Sequence, residues 1–399
     1  IHMHNVSERI NQLSESQTIA MATRSRELQA EGKDIISLSL GEPDFHTPDR
    51  IKNAAKKAID DNYTSYTPVS GYLELRQAIS KKFKRDNNLD YSPNQIVAST
   101  GAKQSIANVV LSLVNPGDEV ILPAPYWVSY VEIIKMAEGV PVFVEASIES
   151  DFKITANQLS AAMTDKTKMM IYSSPCNPTG SIYGKAELEA LAKVIATKKD
   201  FYVIADEIYE HINFAGKHES LAQFNEIYDQ VITINGVSKG FAMTGWRLGY
   251  IGAPEWIAKA CDKIQGQFTS ATCSITQRAV IEAMEMDPSE TYHMRDAFKE
   301  RRDYVIGRLQ KMDGVLINLP EGAFYAFPNI AQLFGKKHSK GAINTATDLC
   351  MYLLETAEVA LVTGEAFGSP ECIRISYATS LKVLEDAMNR IENALNQLN

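Results

Sequence analysis

Apolar residues along this chain follow two alternating patterns. Residues 51–60 (IKNAAKKAID) and 72–85 (YLELRQAISKKFKR) carry them at helical spacing, with charges on the other face, and predict amphipathic helices. IVAST at 96–100 is a short apolar run that predicts a strand; it passes through Gly101 into the helix-like AKQSIANVVLSLV. Further strand-like runs are EVILPAP (119–125), VPVFVEA (140–146), MMIYSSP (169–175), FYVIADEIY (201–209), VITING (231–236) and LGYIGA (248–253). Helical segments such as AELEALAKVIATKK (186–199) lie between several of them. Strands that are apolar throughout are covered on both faces, and the intervening helices supply the cover. The expected class is α/β: a large domain with a mostly parallel, seven-stranded-type sheet flanked by helices.

From about Met294 the pattern changes. A long charged helix, MRDAFKERRDYVIGRLQKM, precedes shorter strand-like pieces, GAFYAFPNI, EVALVTGEAF and CIRISYAT, and a last helix, LKVLEDAMNRIENALNQL. This predicts a second, smaller α+β domain. PDFHTPD at 43–49 has the composition of a connector, so residues 1–49 are expected to join the small domain, 50–293 to form the large one, and 294–399 to supply the connecting helix and the rest of the small one. No internal repeat is present.

Composition narrows the function. Of 399 residues 45% are apolar and 22% charged, the profile of an ordinary soluble globular protein. A net charge of -9 argues against nucleic acid or an anionic membrane as partner. The five cysteines are scattered without a CxxC pair, which suits a reducing compartment, and the seven histidines show no ligand spacing, so no metal is expected. IHMH at the start reads as a vector remnant. With no membrane-length apolar run and no signal pattern, the expected location is cytoplasmic.

The informative polar residues fall at the ends of the predicted strands. IVAS runs into TGAKQS, a tight turn opening a helix whose N–H groups suit an anion. MMIYSS runs into PCNPTG, a turn presenting Asn177. Asp206 sits in an otherwise apolar strand, and VITI leads to SKGFAMTGWRLGY, with Lys239 and Arg247. Taken singly, each has an ordinary explanation: turn chemistry, a helix cap or buried carboxylate, a surface lysine, a structural ion pair. Falling in order at the strand ends of one sheet, they point to a site, because ligands bind there in such sheets. A lysine buried near a cation loses its proton readily and attacks an aldehyde. An arginine and a helix N-terminus hold a phosphate. A carboxylate pairs with a protonated ring nitrogen, and an asparagine and a tyrosine bond a phenolic oxygen. Aldehyde, phosphate, pyridine nitrogen and phenol oxygen are the four handles of pyridoxal phosphate.

On the motifs SLGEPDF (39–45), SPCNPTG (174–180), ADEIYEH (205–211), SKGFAMTGWRLGY (238–250) and RISYATS (374–380), the chain resembles the fold-type I pyridoxal-phosphate enzymes. Within them it is similar to the class I aminotransferases, closest to the bacterial aspartate aminotransferase branch. The resemblance implies that Lys239 forms the internal aldimine and then acts as the base that moves the proton. It implies that Asp206 pairs with the ring nitrogen, Tyr209 and Asn177 bond the phenolic oxygen, and Arg247 binds the phosphate with Gly101, Ala102 and Ser238. Trp127 would stack on the ring, and Tyr66 would reach the phosphate in a neighbouring subunit, which implies a homodimer. Arg374 would bind the substrate α-carboxylate beside Gly41; a planar guanidinium suits that task better than an ammonium.

The resemblance further implies transfer of the amino group of L-aspartate to 2-oxoglutarate by a ping-pong mechanism. One branch reads the distal carboxylate with an arginine from the partner subunit, but the comparable segment here, QGQFTSATCS (265–274), has none. Lys103, in the first turn of the helix after Gly101, is the replacement the resemblance offers, with Ser16 and Thr18 closing the site. A cation there opposes the helix dipole, which makes sense with an anion nearby. The alternatives are an aromatic, prephenate or broad-range aminotransferase, a pyridoxal-phosphate lyase or synthase, and a cofactor-binding regulator, which needs a DNA-binding module, whereas the segment before SLGEPDF is short and not strongly basic.

Overall fold

The computed structural model describes residues 5–17 and 19–399. IHMH at 1–4 and Thr18 lie outside the described residues. A seven-stranded sheet forms the large α/β unit, in the order Ile96–Ser99, Gly249–Gly252, Val231–Gly236, Tyr202–Asp206, Thr167–Ser173, Glu119–Ala124, Val140–Glu145. All neighbours are parallel except Gly249–Gly252, which runs antiparallel to both of its partners. Successive residues of one strand enter different cores. Ile204, Ile232 and Ile234 pack with Val109 and Ile257 on one face. Val203, Ala205 and Val231 pack with Leu188 and Leu191 on the other. This two-sided burial is why these strands are mostly apolar, with no alternation of polar positions.

The strand-like run FYVIADEIY is shorter than the expected 201–209. It pairs only as Tyr202–Asp206, after which the chain turns, with Glu210 N–H donating to Glu207 O at 2.9 Å and Ile212 N–H to Tyr209 O at 2.9 Å. Asp206 is therefore at the carboxyl end of its strand. In the C-terminal part, GAFYAFPNI forms a strand only at Tyr325–Ala326, with isolated bridges at Gly322 and Asn329, and EVALVTGEAF divides into Val359–Ala360, Val362–Thr363 and a helical turn. Ile36–Ser37 pairs in parallel with Val359–Ala360, and Met21, Leu28 and Leu38 share a core with Leu353, Leu384 and Ile391. Among the described residues, no helix is long and apolar enough to cross a membrane.

The turn after Asp206 is anchored by a buried ionic cluster. Lys82, 2% exposed, donates to a Glu210 carboxylate oxygen and, at 2.6 Å, to Asn87 Oδ1. Asn87 and Asn235 donate to Glu210 at 2.7 and 2.8 Å. Burial alone would raise the Glu210 pKa, but Lys82, His211 and His218 together hold it well below the usual carboxylate range. Asp86, Glu210 and His211 bring ligand atoms together in the manner of a metal site, yet the Lys82 ammonium is the cation among them, 3.9 Å from Asp86. Lys82→Ala strands a buried carboxylate, which costs about 3–5 kcal/mol. The urea unfolding midpoint at fixed protein concentration drops accordingly; an unchanged midpoint contradicts this account.

Candidate active site

A cavity of about 710 Å³ opens beyond the carboxyl ends of the strands and is lined by residues from both parts of the chain. That volume lies in the range of small-molecule sites. Its floor is Asp206, buried at its strand end. Tyr130 O–H donates to Asp206 Oδ2 at 2.5 Å and Ile208 N–H to Oδ1 at 3.2 Å. Burial pushes the Asp206 carboxyl up to about 6, against the pull of these two donors.

Lys239 lies three residues past the strand Val231–Gly236, in the turn that follows it. Its ammonium donates to the Gly41 carbonyl and lies 5.7 Å from the centre of the Tyr209 ring. Burial, then the nearby Arg374, lowers its pKa to about 8, with Arg247 acting in the same sense. Tyr209 is buried, and its hydroxyl lies 2.7 Å from that of Tyr325.

Arg374, on the strand Ile373–Ser376, donates from Nη1 to Asn177 Oδ1 at 3.0 Å and from Nη2 to Ser39 O at 2.8 Å. Its guanidinium lies over Tyr325 and Phe367, 4.6 and 5.0 Å from the ring centres. Its Nε is buried without a hydrogen-bond partner among the described residues. A buried charged donor left open is costly unless something polar arrives.

Arg247 adopts a left-handed backbone, φ 55°, and donates to Thr244 O at 2.8 Å. Gly101, φ 86°, precedes the helix Ala102–Leu113, and a Cβ there would stand 2.3 Å from Arg247 Nη2. Only glycine lets the guanidinium lie against this helix N-terminus, so positive charge and free N–H groups converge. Lys103 Nζ lies 4.9 Å from the Trp127 ring centre, and its pKa is lowered first by burial and then by Arg247.

The family profile of aminotransferase class I and II matches residues 33–391. The chain belongs to that family. It is 46% identical over 396 residues to a Petunia hybrida protein named bifunctional aspartate aminotransferase and glutamate/aspartate-prephenate aminotransferase, covering 98% of this chain and 83% of that protein. It is 46% identical over 390 residues to a Cereibacter sphaeroides aspartate/prephenate aminotransferase, covering 97% of this chain and 98% of that protein. The aspartate aminotransferase structure from Rhizobium meliloti superposes with a TM-score of 0.97 at 40% identity, covering 99% of this chain and 100% of that one. The Thermus thermophilus aspartate aminotransferase with maleate superposes with a TM-score of 0.91 at 37% identity, covering 98% and 100%.

Aminotransferases of this type use pyridoxal phosphate. The residues here fit that group: a phosphate matches the cradle between Arg247 and the helix N-terminus, and an anionic substrate matches the open Arg374 Nε. Of the residues singled out from sequence, Lys239, Asp206, Tyr209, Asn177, Arg247 and Arg374 line the cavity together. So do Trp127, Ser238, Ala102, Gly41, Lys103 and Ser16. Gly101 lies behind Arg247, and Tyr66 is 98% exposed, away from the cavity of its own chain. Tyr130 and Tyr325 were not foreseen. Tyr130 follows Trp127 by three positions, a helical spacing that is a usable signal. Tyr325 sits in the apolar GAFYAF and carries none.

Proposed function

We propose that this aminotransferase moves the amino group of L-aspartate to 2-oxoglutarate in a ping-pong cycle, both halves using the same residues. The observation that carries the reading is the convergence of a buried lysine of lowered pKa with Asp206 on one side and Arg374 on the other. When bound, the cofactor supplies an aldehyde and an electron-withdrawing ring that acidifies the substrate α-carbon. Arg247, Ser238 and the N–H groups after Gly101 hold the phosphate. Asp206 keeps a proton at the ring nitrogen, and Tyr130 holds Asp206 in place. Asn177 accepts from Arg374 through Oδ1, which leaves its Nδ2 donor for the phenolic oxygen beside Tyr209. Trp127 packs over the ring. Arg374 would orient the α-carboxylate beside Gly41, and neutral Lys239 would act as the general base that takes and holds the α-proton.

Lys103 reads the distal carboxylate, with Ser16 at the same cavity. Thr18 belongs to this reading by resemblance alone. Tyr66 serves the phosphate site of a partner subunit, so the active unit is a homodimer; its near-complete exposure supports this. The division into residues 1–49 with 294–399, and 50–293, belongs to the same proposal, supported by the Ile36–Ser37 pairing with Val359–Ala360. So does a cytoplasmic location, supported by five free cysteines. Prephenate is a second acceptor, favoured by the missing arginine in 265–274 and by the names of the relatives.

The deciding experiment is a single-turnover titration of the cofactor-loaded protein, without keto acid, with L-aspartate, L-glutamate and L-phenylalanine. Loss of the cofactor's absorption band at low aspartate, and only at high phenylalanine, is the expected result. Equal or better conversion by phenylalanine reassigns the protein as an aromatic or broad-range aminotransferase. Lys103→Ala weakens aspartate by roughly 10- to 100-fold, the worth of one charged hydrogen bond, and neutral amino acids far less. An equal loss for both moves Lys103 to the cofactor.

A further inference from the structure

The helix Ile19–Ala30 turns one face to the cavity. Ala22, Ser25, Arg26 and Gln29 line it, at the i, i+3, i+4, i+7 spacing of a single helical face. Other positions of the helix are committed to the fold. Leu28 is buried in the core shared with the C-terminal part. Arg24 donates to the two Glu355 carboxylate oxygens at 2.5 and 3.2 Å, with Glu27 and Glu31 at 3.2 and 3.6 Å.

Arg24 and Arg26 stand roughly 200° apart around the helix axis. Arg24 is answered by three acids. Arg26 is exposed at the cavity wall, reaches the Thr23 hydroxyl at 3.4 Å, and has no ion pair among the described residues.

The charges around the cavity make this cation informative. Among the described residues, Arg26, Lys103, Lys239, Arg247 and Arg374 line it, against one carboxylate, Asp206. In the reading above, Arg247 is answered by the phosphate, Arg374 by the α-carboxylate, Lys239 by the aldehyde and Lys103 by the distal carboxylate of a four-carbon substrate. Arg26 remains. Lys103 stands on the helix Ala102–Leu113, 4.9 Å from the Trp127 ring centre, and Arg26 on the helix Ile19–Ala30; both side chains are exposed, and the two cations meet the cavity on different walls.

We propose that Arg26 is a specificity-determining residue that reads the distal carboxylate of diacids longer than aspartate: five-carbon acids, and acids that carry the second carboxylate on a ring. The inference rests on the aspartate aminotransferase reading. A guanidinium on this second wall, with a planar fork of donors, captures a carboxylate that extends past the reach of Lys103. Ser25 and Gln29 flank it on the same face with further hydrogen-bonding groups. Two cations on two walls let one site accept both partners of a reaction whose diacids differ by a methylene.

The test compares cofactor-loaded wild type, Arg26→Gln and Arg26→Lys in half-reactions with L-aspartate, L-glutamate and L-alanine. In Arg26→Gln the second-order rate constant for glutamate falls about tenfold more than that for aspartate. Arg26→Lys keeps most of the glutamate rate. Alanine has no distal carboxylate and reports general damage. No change in Arg26→Gln, equal losses for aspartate and glutamate, or an alanine loss matching that of glutamate overturns the proposal and leaves Arg26 as a solvated helix arginine. The underlying reading fails separately, by a wild type that does not prefer aspartate to alanine.

Discussion

Lys239→Ala lowers turnover with aspartate and 2-oxoglutarate by at least about 10⁴-fold, because one substitution removes both a positioned general base and the amine that attaches the aldehyde. The fold survives. Lys239 is in a turn beyond its strand, its ammonium contacts the Gly41 carbonyl, and removing a buried amine with a lowered pKa relieves rather than creates an unpaired charge. Circular dichroism and the urea midpoint therefore stay near wild type while steady-state activity disappears. Full activity in this variant sinks the mechanism. The lowered pKa also sets the pH dependence of cofactor loading. Only the neutral amine attacks, and its fraction grows as pH rises through about 8. Stopped-flow mixing of the apo-protein with pyridoxal phosphate thus gives a rate that climbs between about pH 7 and 9 and levels above, about two units earlier than an exposed lysine would allow. A rate still climbing steeply at pH 10 contradicts the burial and the two guanidinium neighbours invoked here.

Asp206→Asn lowers kcat about 10²- to 10³-fold, the scale seen when a preorganised electrostatic partner is removed from a site. The substrate carboxylates are bound elsewhere, so KM for aspartate changes much less. The asparagine side chain keeps an oxygen to accept from Tyr130 and from Ile208 N–H, so the floor of the site stays in place while its negative charge is gone. The sign of the pH effect follows from the carboxyl being raised to about 6: below that value it is neutral in the free protein, above it anionic. Cofactor affinity of the wild type therefore rises as pH passes upward through about 6, and the part of this rise due to Asp206 is absent in the variant. Isothermal titration at pH 5, 6 and 7 measures it. Identical pH profiles for the two proteins remove Asp206 from the role.

Much of the site was legible in the chain because it depends on local rules. The strands Val231–Gly236 and Tyr202–Asp206 are buried on both faces and so are mostly apolar without alternation, and that property marks them without any knowledge of neighbours. Polar residues at their carboxyl ends, Asp206 and then Lys239, stand out against that background. The Gly101 turn into the helix Ala102–Leu113 is likewise a local feature. Strand ends were less legible. FYVIADEIY keeps its apolar character past Asp206 because Ile208 and Tyr209 pack against the core of the C-terminal part, not because the strand continues.

What only the tertiary structure decided are the pairings between distant segments. Arg374 meets Asn177, 197 positions away, and Tyr209 meets Tyr325, 116 positions away. Tyr130 meets Asp206 across 76 positions. Helical spacing by itself puts Arg24 and Arg26 on opposite sides of the helix Ile19–Ala30, but which side meets what is decided by packing: Glu355 stands on one and the cavity on the other. Periodicity and turn chemistry are written into neighbouring residues, whereas the partner of a buried polar group is selected by how helices and sheet pack. The chain by itself thus determined which chemistry it carries and at which strand ends, and packing determined which groups tune that chemistry and which cations face the substrate.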